Sequence, residues 1–414
     1  MKIYWNTLPP RIRAFLVFLL GFALMQVVFF AMDGSIKQVD ILFGVYVGGF
    51  IVYFLARWGF FSIRVQMVLP NQELPIYEKF RKNPGKRRFG PGEPAEFIDV
   101  KEADDELLPD DRVIGVNFNG EAAAYPLAAI GVREISNEEY DDTPVVITWS
   151  PVTYSARAFL AKANNQAINL GRHTHSVFNS PAMPDENGSM FVQFIGQAVS
   201  GELAGWTLEQ IPVTTTTWAA WKEAHPNTEV MSTDGGPEAD IFENYYANDR
   251  NGVHSLKPID KRLHGKEVVL GLDIKNHAKA YSYTALIDEP IQEEDLGRTP
   301  IVVLLERSSS TASAFLRTVN GTTLNFRGKS KNPQRRAEET TASGEGERSD
   351  YEPWLVEDIQ TGSTWRAVSG ECIEGELKGS QLEMLNGMTG FWYAWSRFYP
   401  QAELFGEFSD AAEQ

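Results

Sequence analysis

VIGVNFNGEAAAYPL, residues 113–127, is the stretch that decides the fold, because a second version of it, VVLGLDIKNHAKAYSY, stands at residues 268–283. Gly115 and Gly271 are 156 residues apart. The same spacing relates further pairs, Pro144 with Pro300 and Ala158–Leu160 with Ala314–Leu316. Similarity at a fixed spacing is the signature of an internal repeat. The sequence therefore predicts two copies of one unit.

The spacing between equivalent residues becomes 174 toward the end of each copy. Pairs at this spacing are Gly201–Leu203 with Gly375–Leu377, Trp218 with Trp392, Trp221 with Trp395, and Pro226 with Pro400. The change from 156 to 174 places an insertion of 18 residues in the second copy, between Arg327 and Gly362. That stretch is charged and rich in Gly, Ser and Thr, a composition that predicts a mobile loop.

Each copy opens with short runs of β-branched residues bounded by Asn-Gly, Asp and Pro, a pattern typical of strands and turns. The predicted strands are Val113–Phe118, Pro144–Trp149, Val268–Ile274 and Pro300–Leu305. A helix is predicted near the end of each copy, at Thr216–Ala224 and Thr389–Phe398. The two tryptophans of each helix stand three positions apart and share one face. We interpret both pairs as core packing.

Two apolar runs near the N-terminus predict a transmembrane helical hairpin. Residues 14–32, AFLVFLLGFALMQVVFFAM, are long enough to cross a bilayer core. The second run covers residues 41–61 and carries Gly44 and Gly48 at the GxxxG spacing that lets helices approach closely. A cleaved signal peptide is the alternative for the first run, but no cleavage-site pattern follows it.

The charged flanks predict the orientation of the hairpin. Basic residues precede the first helix and follow the second, whereas the loop at residues 33–40 has one lysine and two aspartates. The positive-inside rule then places both termini and the soluble domains in the cytoplasm, at a bacterial inner membrane. A periplasmic location is the alternative. A basic cluster after the hairpin is a candidate for contact with anionic lipid headgroups: Lys79, Arg81, Lys82, Lys86, Arg87 and Arg88.

The predicted fold class is α+β, mainly antiparallel β, with two tandem repeats of one β-rich unit behind an N-terminal two-helix transmembrane hairpin. The predicted segments are the hairpin at 1–65, a basic juxtamembrane linker at 66–95, repeat domain 1 at 96–235, a linker at 236–265, repeat domain 2 at 266–408, and a tail at 409–414.

The composition excludes several classes of chemistry. The chain has 55 acidic and 38 basic residues, a net charge of −17 that repels nucleic acid. Its single cysteine, Cys372, excludes an internal disulfide and a CxxC redox pair, and we interpret it as a small buried hydrophobic residue. The sequence holds no phosphate-binding loop, haem-attachment motif or dinucleotide fingerprint. A serine hydrolase is not supported, because neither G-x-S-x-G nor S-x-x-K is present.

Several motifs of the soluble part resemble domain-of-unknown-function family 3179, a bacterial and archaeal group whose activity is open. The motifs are VIGVNFNGEAAAYPL, PVVITWSPVTYSARAF, NGSMFVQFIGQAVSGELAGWTLEQIP, TTWAAWKEAHPNTEVMS and LKPIDKRLHGKEVVLG. The resemblance covers roughly residues 95–408.

Residues at the family's chemical positions depart from the pattern that the resemblance implies. The family has a Cys-Pro-x-Cys-like segment where this chain has Ser150, Pro151, Val152 and Thr153. A hydroxyl forms no disulfide and is a poor ligand for soft metals. The family's histidine before a glutamate is replaced by Arg133 before Glu134. These departures indicate that thiol or metal chemistry of relatives is lost here.

His173 and His175 are the remaining metal candidates. They stand at i and i+2, so on a strand both would face one side and could hold Zn²⁺ or Cu²⁺. Further ligands would come from elsewhere, with Asp185 or Glu186 as candidates. Surface or loop positions are the alternative for both histidines. The cofactor therefore stays unknown at this stage.

Three functions are compatible with these features. The first is a membrane-anchored, non-catalytic accessory or scaffold subunit that docks on a larger membrane protein complex, such as respiratory or photosynthetic machinery. The second is a metal-binding or redox-associated protein that uses His173 and His175. The third is a small-ligand sensor with a pocket between the repeats. We rank the accessory subunit first, with membrane lipids and a membrane protein as its expected partners, and expect no enzymatic activity.

Overall fold

The structure is a computed structural model. It describes residues 62–69, 72–79, 95–171, 176–233, 242–249, 251–252, 260–329, 351 and 353–406. The chain divides into two compact units, Met1–Ile63 and Arg64–Gln414. The predicted helices at 14–32 and 41–61, with Gly44 and Gly48, lie outside the described residues. Within the described ranges, no helix is long and apolar enough to cross a membrane.

Two strands form within the region that the sequence assigns to the end of the hairpin and the basic linker. They are β1 (Ser62–Leu69) and β2 (Gln72–Lys79), which pair in a two-stranded sheet. Their sequences explain the pairing, because apolar residues alternate in SIRVQMVL and Pro70-Asn71 separates the two runs.

The N-terminal half, residues 95–233, is built mostly from short strands. Its helices are α1 (Val100–Glu106), α2 (Leu127–Arg133) and α3 (Trp218–Ala224). Its strands are β3 (Phe97–Ile98), β4 (Arg112–Phe118), β5 (Glu121–Pro126), β6 (Ile135–Tyr140), β7 (Thr143–Ser150), β8 (Ser155–Leu160), β9 (Lys162–Ala163), β10 (Gln166–Ala167), β11 (Ser176–Val177), β12 (Ser180–Pro184), β13 (Met190–Val192), β14 (Gln197–Ser200), β15 (Gln210–Ile211), β16 (Thr214–Thr217) and β17 (Glu229–Met231).

These strands form three main sheets in the N-terminal half. The first has the order β16-β4-β5-β17-β3, the second β15-β8-β7-β6, and the third β11-β12-β13-β14. Strands β9 and β10 form a separate hairpin. The pairings are antiparallel except between β5 and β17. An α+β fold dominated by antiparallel sheet, as the strand and turn signals predict, is therefore confirmed.

A short helix, α4 (Glu243–Tyr246), lies in the predicted linker, and the C-terminal half follows at residues 260–406. The helices of this half are α5 (Tyr283–Asp288) and α6 (Trp392–Phe398). Its strands are β18 (Val268–Ile274), β19 (His277–Ser282), β20 (Ile291–Leu296), β21 (Thr299–Glu306), β22 (Thr311–Leu316), β23 (Thr318–Val319), β24 (Thr322–Thr323), β25 (Phe326–Gly328), β26 (Leu355–Asp358), β27 (Thr364–Arg366), β28 (Cys372–Glu374), β29 (Met388–Phe391) and β30 (Glu403–Phe405).

The sheets of the C-terminal half follow the strand orders of the N-terminal half. They are β29-β18-β19-β30, β20-β21-β22 and β25-β26-β27-β28, with β23 and β24 as a hairpin. The single parallel pairing is again between the third and fourth strands in the order of the first sheet, here β19 and β30. Ladder registers match as well. Thr148 pairs with Arg157, and Leu304 pairs with Ser313, each residue 156 positions further on.

A tryptophan packed on a glycine fixes the helix of each half against its first sheet. A Cβ at Gly115 would lie 2.1 Å from the Trp221 ring, and one at Gly271 would lie 2.2 Å from the Trp395 ring. Each ring therefore lies directly on the backbone of β4 or β18, and no residue larger than glycine fits beneath it.

The cores of the two halves are continuous. Phe194 of the N-terminal half stacks on Phe398 with ring centroids 4.4 Å apart and lies 6.1 Å from Trp395. These residues belong to one buried cluster with Val177 and Trp392. Burial at about 25 cal/mol per Å² of apolar surface makes such a cluster a main source of cohesion between the halves.

Candidate functional site

Residues 150–153, where the resemblance implies a Cys-Pro-x-Cys-like segment, lie in a tight turn between β7 and β8, which we call the motif turn. Strand β7 ends at Ser150, and β8 begins at Ser155. Tyr154 adopts a left-handed backbone with φ of +53°, which closes the turn. The side chains of Ser150, Thr153 and Ser155 are completely buried. Polar groups so placed need hydrogen-bond partners within the protein.

The buried hydroxyls of this turn bond to one another. Thr153 Oγ1 donates to Ser150 Oγ at 2.7 Å and lies 2.7 Å from Ser155 Oγ. Ser155 Oγ in turn donates to Gln193 Oε1 at 3.1 Å. The Gln193 amide donates to Ser155 O at 3.0 Å and to Thr148 Oγ1 at 3.3 Å. None of these side chains ionises near neutral pH, so the cluster contains no general base for a hydroxyl nucleophile.

The equivalent turn of the C-terminal half uses a carboxyl group instead. Glu306, which ends β21, is 3 % exposed. Its Oε1 accepts hydrogen bonds from Ser308 N at 3.1 Å and from Ser308 Oγ at 2.6 Å. Its Oε2 accepts from Ser309 N at 2.7 Å and from the Ser309 hydroxyl. One side chain thereby accepts the backbone and hydroxyl hydrogen bonds of both Ser308 and Ser309.

Both turns contact the opposite half of the protein. Thr311 Oγ1, at the start of β22, lies 2.6 Å from Thr216 Oγ1 of β16. Phe391 N, at the end of β29, donates to Thr153 O at 2.9 Å. Tyr393 OH donates to Val152 O at 2.6 Å. The motif turn therefore acts as part of the joint between the halves.

Tyr245 is a contact residue that the sequence analysis missed. It lies in α4, within the predicted linker, and its hydroxyl donates to Val152 O at 2.8 Å and accepts from Gly252 N at 2.9 Å. The Lys266 ammonium lies 3.7 Å from the centroid of its ring. The signal available in the sequence was the pair Tyr245-Tyr246 in an otherwise polar segment.

Arg133 and Glu134 lie next to the motif turn. Arg133 ends α2 and is buried, whereas Glu134 has a left-handed backbone with φ of +66° and follows the helix as its C-cap. Trp149 N donates to Glu134 O at 2.8 Å, which fixes this pair beside the residue that precedes Ser150. Glu134 therefore lies beside the strand that ends at Ser150, and Arg133 precedes it at the end of α2.

His173 and His175 lie outside the described residues, so the metal hypothesis for them stays a prediction. The two carboxylates proposed as further ligands support turns. Asp185 Oδ1 accepts from Asn187 N at 2.9 Å and from Ser189 N at 2.7 Å. Glu186 accepts from Asn169 N at 2.7 Å. Across the described residues, no group of three His, Cys, Asp or Glu side chains is arranged to hold a metal ion.

The predicted lipid contacts fall mostly outside the described residues. Lys79 is the last residue of β2, and the remaining positions from Arg81 to Arg88 are not among the described residues.

Cys372 is a small buried residue, as the sequence predicts. It is 1 % exposed in the cluster around Trp365, and burial raises the pKa of its thiol.

A half-open cleft of about 340 Å³ lies where the two halves meet. The N-terminal half contributes residues of β4, β16 and α3, and the C-terminal half contributes the segment around residues 368–384. The polar and aromatic residues that line it are Asn117, Asn119, Thr214, Trp221, His225, Ser369, Gln381 and Glu383. A cleft of this size at an interface between two folded parts is a usual place for a small ligand.

His225 at the cleft is held neutral. Its ring lies 4.1 Å from the Trp221 ring, and burial lowers the pKa of His225 to about 4, with the nearby Glu371 carboxylate opposing that change. A histidine kept neutral in the folded state lowers the free energy of unfolding in acid, because the histidine of the unfolded chain binds a proton at a higher pH than that of the folded chain.

Replacement of His225 by tyrosine, the residue found at position 399 in the C-terminal half, should remove this acid sensitivity. The pKa of an unfolded histidine is about 6.5, so the free energy of unfolding of the wild type should fall by about 3 kcal/mol as the pH is lowered from about 6.5 to below about 4. Urea unfolding of both proteins across this range tests the point. Parallel stability curves for wild type and His225→Tyr would show that His225 is not held neutral.

The fold and the turn define a class, namely β-rich α+β proteins with a buried turn between two strands at the junction of two halves. A family model described as "Protein of unknown function (DUF3179)" matches residues 93–402, and the chain belongs to this family. Comparison with curated proteins found no match, and comparison with solved structures found none either.

Proposed function

We propose that this chain is a membrane-anchored, non-catalytic accessory subunit that docks on a larger membrane protein complex. The observation that supports the non-catalytic part is the closed bonding of the motif turn. The side chains of Ser150, Thr153 and Ser155 are fully buried, and their hydroxyl groups form hydrogen bonds with one another and with Gln193. A nucleophile needs access to substrate and a base beside it, and this turn offers neither.

The membrane part of the proposal rests on sequence. The apolar runs at 14–32 and 41–61 would anchor the chain in a bacterial inner membrane, with Gly44 and Gly48 at a helix contact. The basic residues between Lys79 and Arg88 would rest on anionic headgroups, each adding about 1 kcal/mol. The charge bias favours a cytoplasmic soluble part, with a periplasmic one as the alternative.

The proposal is tested by purifying the full chain from its native membrane in mild detergent after chemical cross-linking. We expect a membrane protein partner to co-purify at fixed stoichiometry and to cross-link to lysines of the soluble part. Membranes that carry the affinity tag alone provide the background. A monodisperse monomer that yields no cross-links would overturn the accessory role.

We also infer that the two halves are tandem copies of one β-rich unit. The matching strand orders, the shared parallel pairing and the equal ladder registers support this duplication. Divergence of the two copies then explains why the last residue of the first strand before the turn is Ser150 in one copy and Glu306 in the other. A duplicated scaffold also presents two sets of loops for docking.

Restoring cysteine at positions 150 and 153 tests whether the motif turn is a degenerate thiol pair. The two side-chain oxygens are 2.7 Å apart, so sulfur atoms at the same places need only a small shift to reach the length of a disulfide. We expect the double variant Ser150→Cys/Thr153→Cys to form an internal disulfide when it is unfolded in urea and refolded with a mixture of oxidised and reduced glutathione, because the folded turn is closed to glutathione. Alkylation followed by intact mass spectrometry reads this out.

The matched control for the thiol experiment is Ser150→Cys alone. Its only other cysteine is Cys372, which is buried in the C-terminal half. This variant should keep its thiols unpaired under the same oxidant. If both introduced cysteines of the double variant stay open to alkylation after unfolding, the positions are not suited to a thiol pair.

A second candidate function is a small-ligand binding protein or sensor. The observation that favours it is the cleft between the halves, in which Trp221 and His225 face residues from the 368–384 segment. This function is compatible with the accessory role, because a bound ligand could regulate docking.

A further inference from the structure

Arg157 fills a buried place at the junction of the halves. It stands on β8, is 5 % exposed, and donates from Nε to Phe194 O at 3.2 Å. Its Nη1 donates to Gln210 Oε1 at 3.0 Å and to Asn386 O at 3.3 Å. The Tyr399 hydroxyl and the Asp273 carboxylate lie near the guanidinium, and the negative charge of the carboxylate favours the protonated arginine. A guanidinium is thus held by carbonyl oxygens, an amide oxygen and a nearby carboxylate.

Ser313 occupies the position equivalent to Arg157 in the C-terminal half. Ser313 pairs with Leu304 in the ladder, as Arg157 pairs with Thr148. Its hydroxyl donates to Val368 O at 3.2 Å, and Val368 stands 174 residues after Phe194, the residue whose carbonyl receives Arg157 Nε. The short side chain reaches the equivalent carbonyl but fills less volume than an arginine would. The cleft lies beside it, because Val368, whose carbonyl receives the Ser313 hydroxyl, is one of the residues that line the cleft.

Four of the residues that line the cleft are the counterparts of residues around Arg157. At spacings of 156 or 174, the cleft residues and their counterparts are Asn117 with Asp273, His225 with Tyr399, Pro212 with Asn386, and Met384 with Gln210. The lining also includes the Trp221 ring and Glu383, and the described residues that line it include no lysine or arginine. Such a surface attracts a cation and repels an anion, because oxygen acceptors, a carboxylate and an aromatic face all favour positive charge.

We propose that the cleft binds a small ligand through a guanidinium or amidinium group, in the place that Arg157 fills in the other half. This proposal deepens, and rests on, the second candidate function. The ligand's planar cation would bond to the Asn117 side-chain oxygen and the Pro212 carbonyl oxygen, the counterparts of the Asp273 carboxylate and of the Asn386 carbonyl that faces Arg157, and Glu383 would supply the balancing charge. The bidentate hydrogen-bonding geometry of a guanidinium suits this set of acceptors better than an ammonium does.

The proposal is tested by titrating the full chain in detergent with ethylguanidinium and with ethylurea, its neutral counterpart of the same shape. Isothermal titration calorimetry at pH 7 should give one site for ethylguanidinium and at least about tenfold weaker binding of ethylurea. The variant Ser313→Arg should lose the site, because it places an arginine where the ligand would lie. Retained binding in a folded Ser313→Arg protein would overturn the proposal.

Variants at the exposed edge of the cleft keep the test valid if Ser313→Arg fails to fold. Asn117→Asp recreates the carboxylate found at Asp273 and should strengthen ethylguanidinium binding several-fold, whereas Asn117→Lys should weaken it by at least tenfold. Equal affinities in these two variants would place the cation elsewhere. If ethylurea binds as well as ethylguanidinium and Ser313→Arg abolishes both, the cleft binds ligands but the cationic class is wrong. If neither probe binds, the cation site is refuted.

Discussion

Replacing Trp395 by alanine should lower the free energy of unfolding by about 3–5 kcal/mol, the range for a large aromatic side chain removed from a packed core. Trp395 is 1 % exposed. Its ring covers Gly271, stacks on Tyr399 with centroids 4.2 Å apart and lies beside Phe194 of the other half. The cavity left by the ring would therefore loosen both α6 on its sheet and the junction of the halves. Urea unfolding followed by circular dichroism measures the loss.

The matched control is Trp206→Ala, which removes the same side chain from a position that is 38 % exposed. This variant should lose less than about 1 kcal/mol, because the indole leaves little empty volume behind. Similar losses for the two variants would contradict the assignment of Trp395 to a shared core.

Local signals in the sequence located the strands closely. The predicted run Val113–Phe118 corresponds to β4 at Arg112–Phe118, and Pro300–Leu305 corresponds to β21 at Thr299–Glu306. The Asn-Gly signal works for a physical reason. Asn119 and Gly120 adopt φ of +53° and +89°, as a tight hairpin turn between β4 and β5 requires. Patterning and turn chemistry are encoded locally, so a single sequence reveals them.

Features that depend on distant partners were located less well. The helix predicted from Thr216 begins at Trp218, because Thr214–Thr217 pairs with β4 as strand β16. The C-terminal helix predicted from Thr389 begins at Trp392 for the same reason, since Met388–Phe391 pairs with β18. The residues before each tryptophan are compatible with a strand or with the first turn of a helix. Pairing with a strand about a hundred residues earlier in the chain makes them a strand.

The candidate site shows the same division. The resemblance to the family predicts that hydroxyls stand at positions 150 and 153 where relatives hold thiols, and this stays a prediction. The role of the turn as a joint does not follow from the sequence, because its partners Tyr245 and Tyr393 are 93 and 241 residues from Val152. A pocket between the repeats is one of the three functions that the sequence leaves open, but its position depends on differences between the copies, such as arginine at 157 against serine at 313, that matter only once the halves are packed together.

Replacing Glu306 by alanine is the second change with a large expected effect, a loss of about 2–5 kcal/mol in the free energy of unfolding. The carboxyl group accepts four hydrogen bonds, from the backbone and hydroxyl groups of Ser308 and Ser309. Ser309 is 1 % exposed, so its amide cannot turn to water when the acceptor is removed, whereas its hydroxyl can turn to Thr311 Oγ1 at 2.6 Å. The buried amide left without an acceptor would cost about 1–3 kcal/mol, and the cavity left by the side chain adds to this loss. Urea unfolding at pH 7 measures the loss.

Two variants separate the loss of acceptors from the loss of volume. Glu306→Gln keeps the size of the side chain and one acceptor oxygen, so it should lose less than Glu306→Ala. Ser150→Ala removes the equivalent side chain of the N-terminal turn and should cost only about 1 kcal/mol, because Thr153 can still bond to Ser155 at 2.7 Å. If Glu306→Ala is no worse than Ser150→Ala, the carboxyl group does not organise its turn. If the expected order holds, this position serves structure in both halves, although the two halves use different chemistry there.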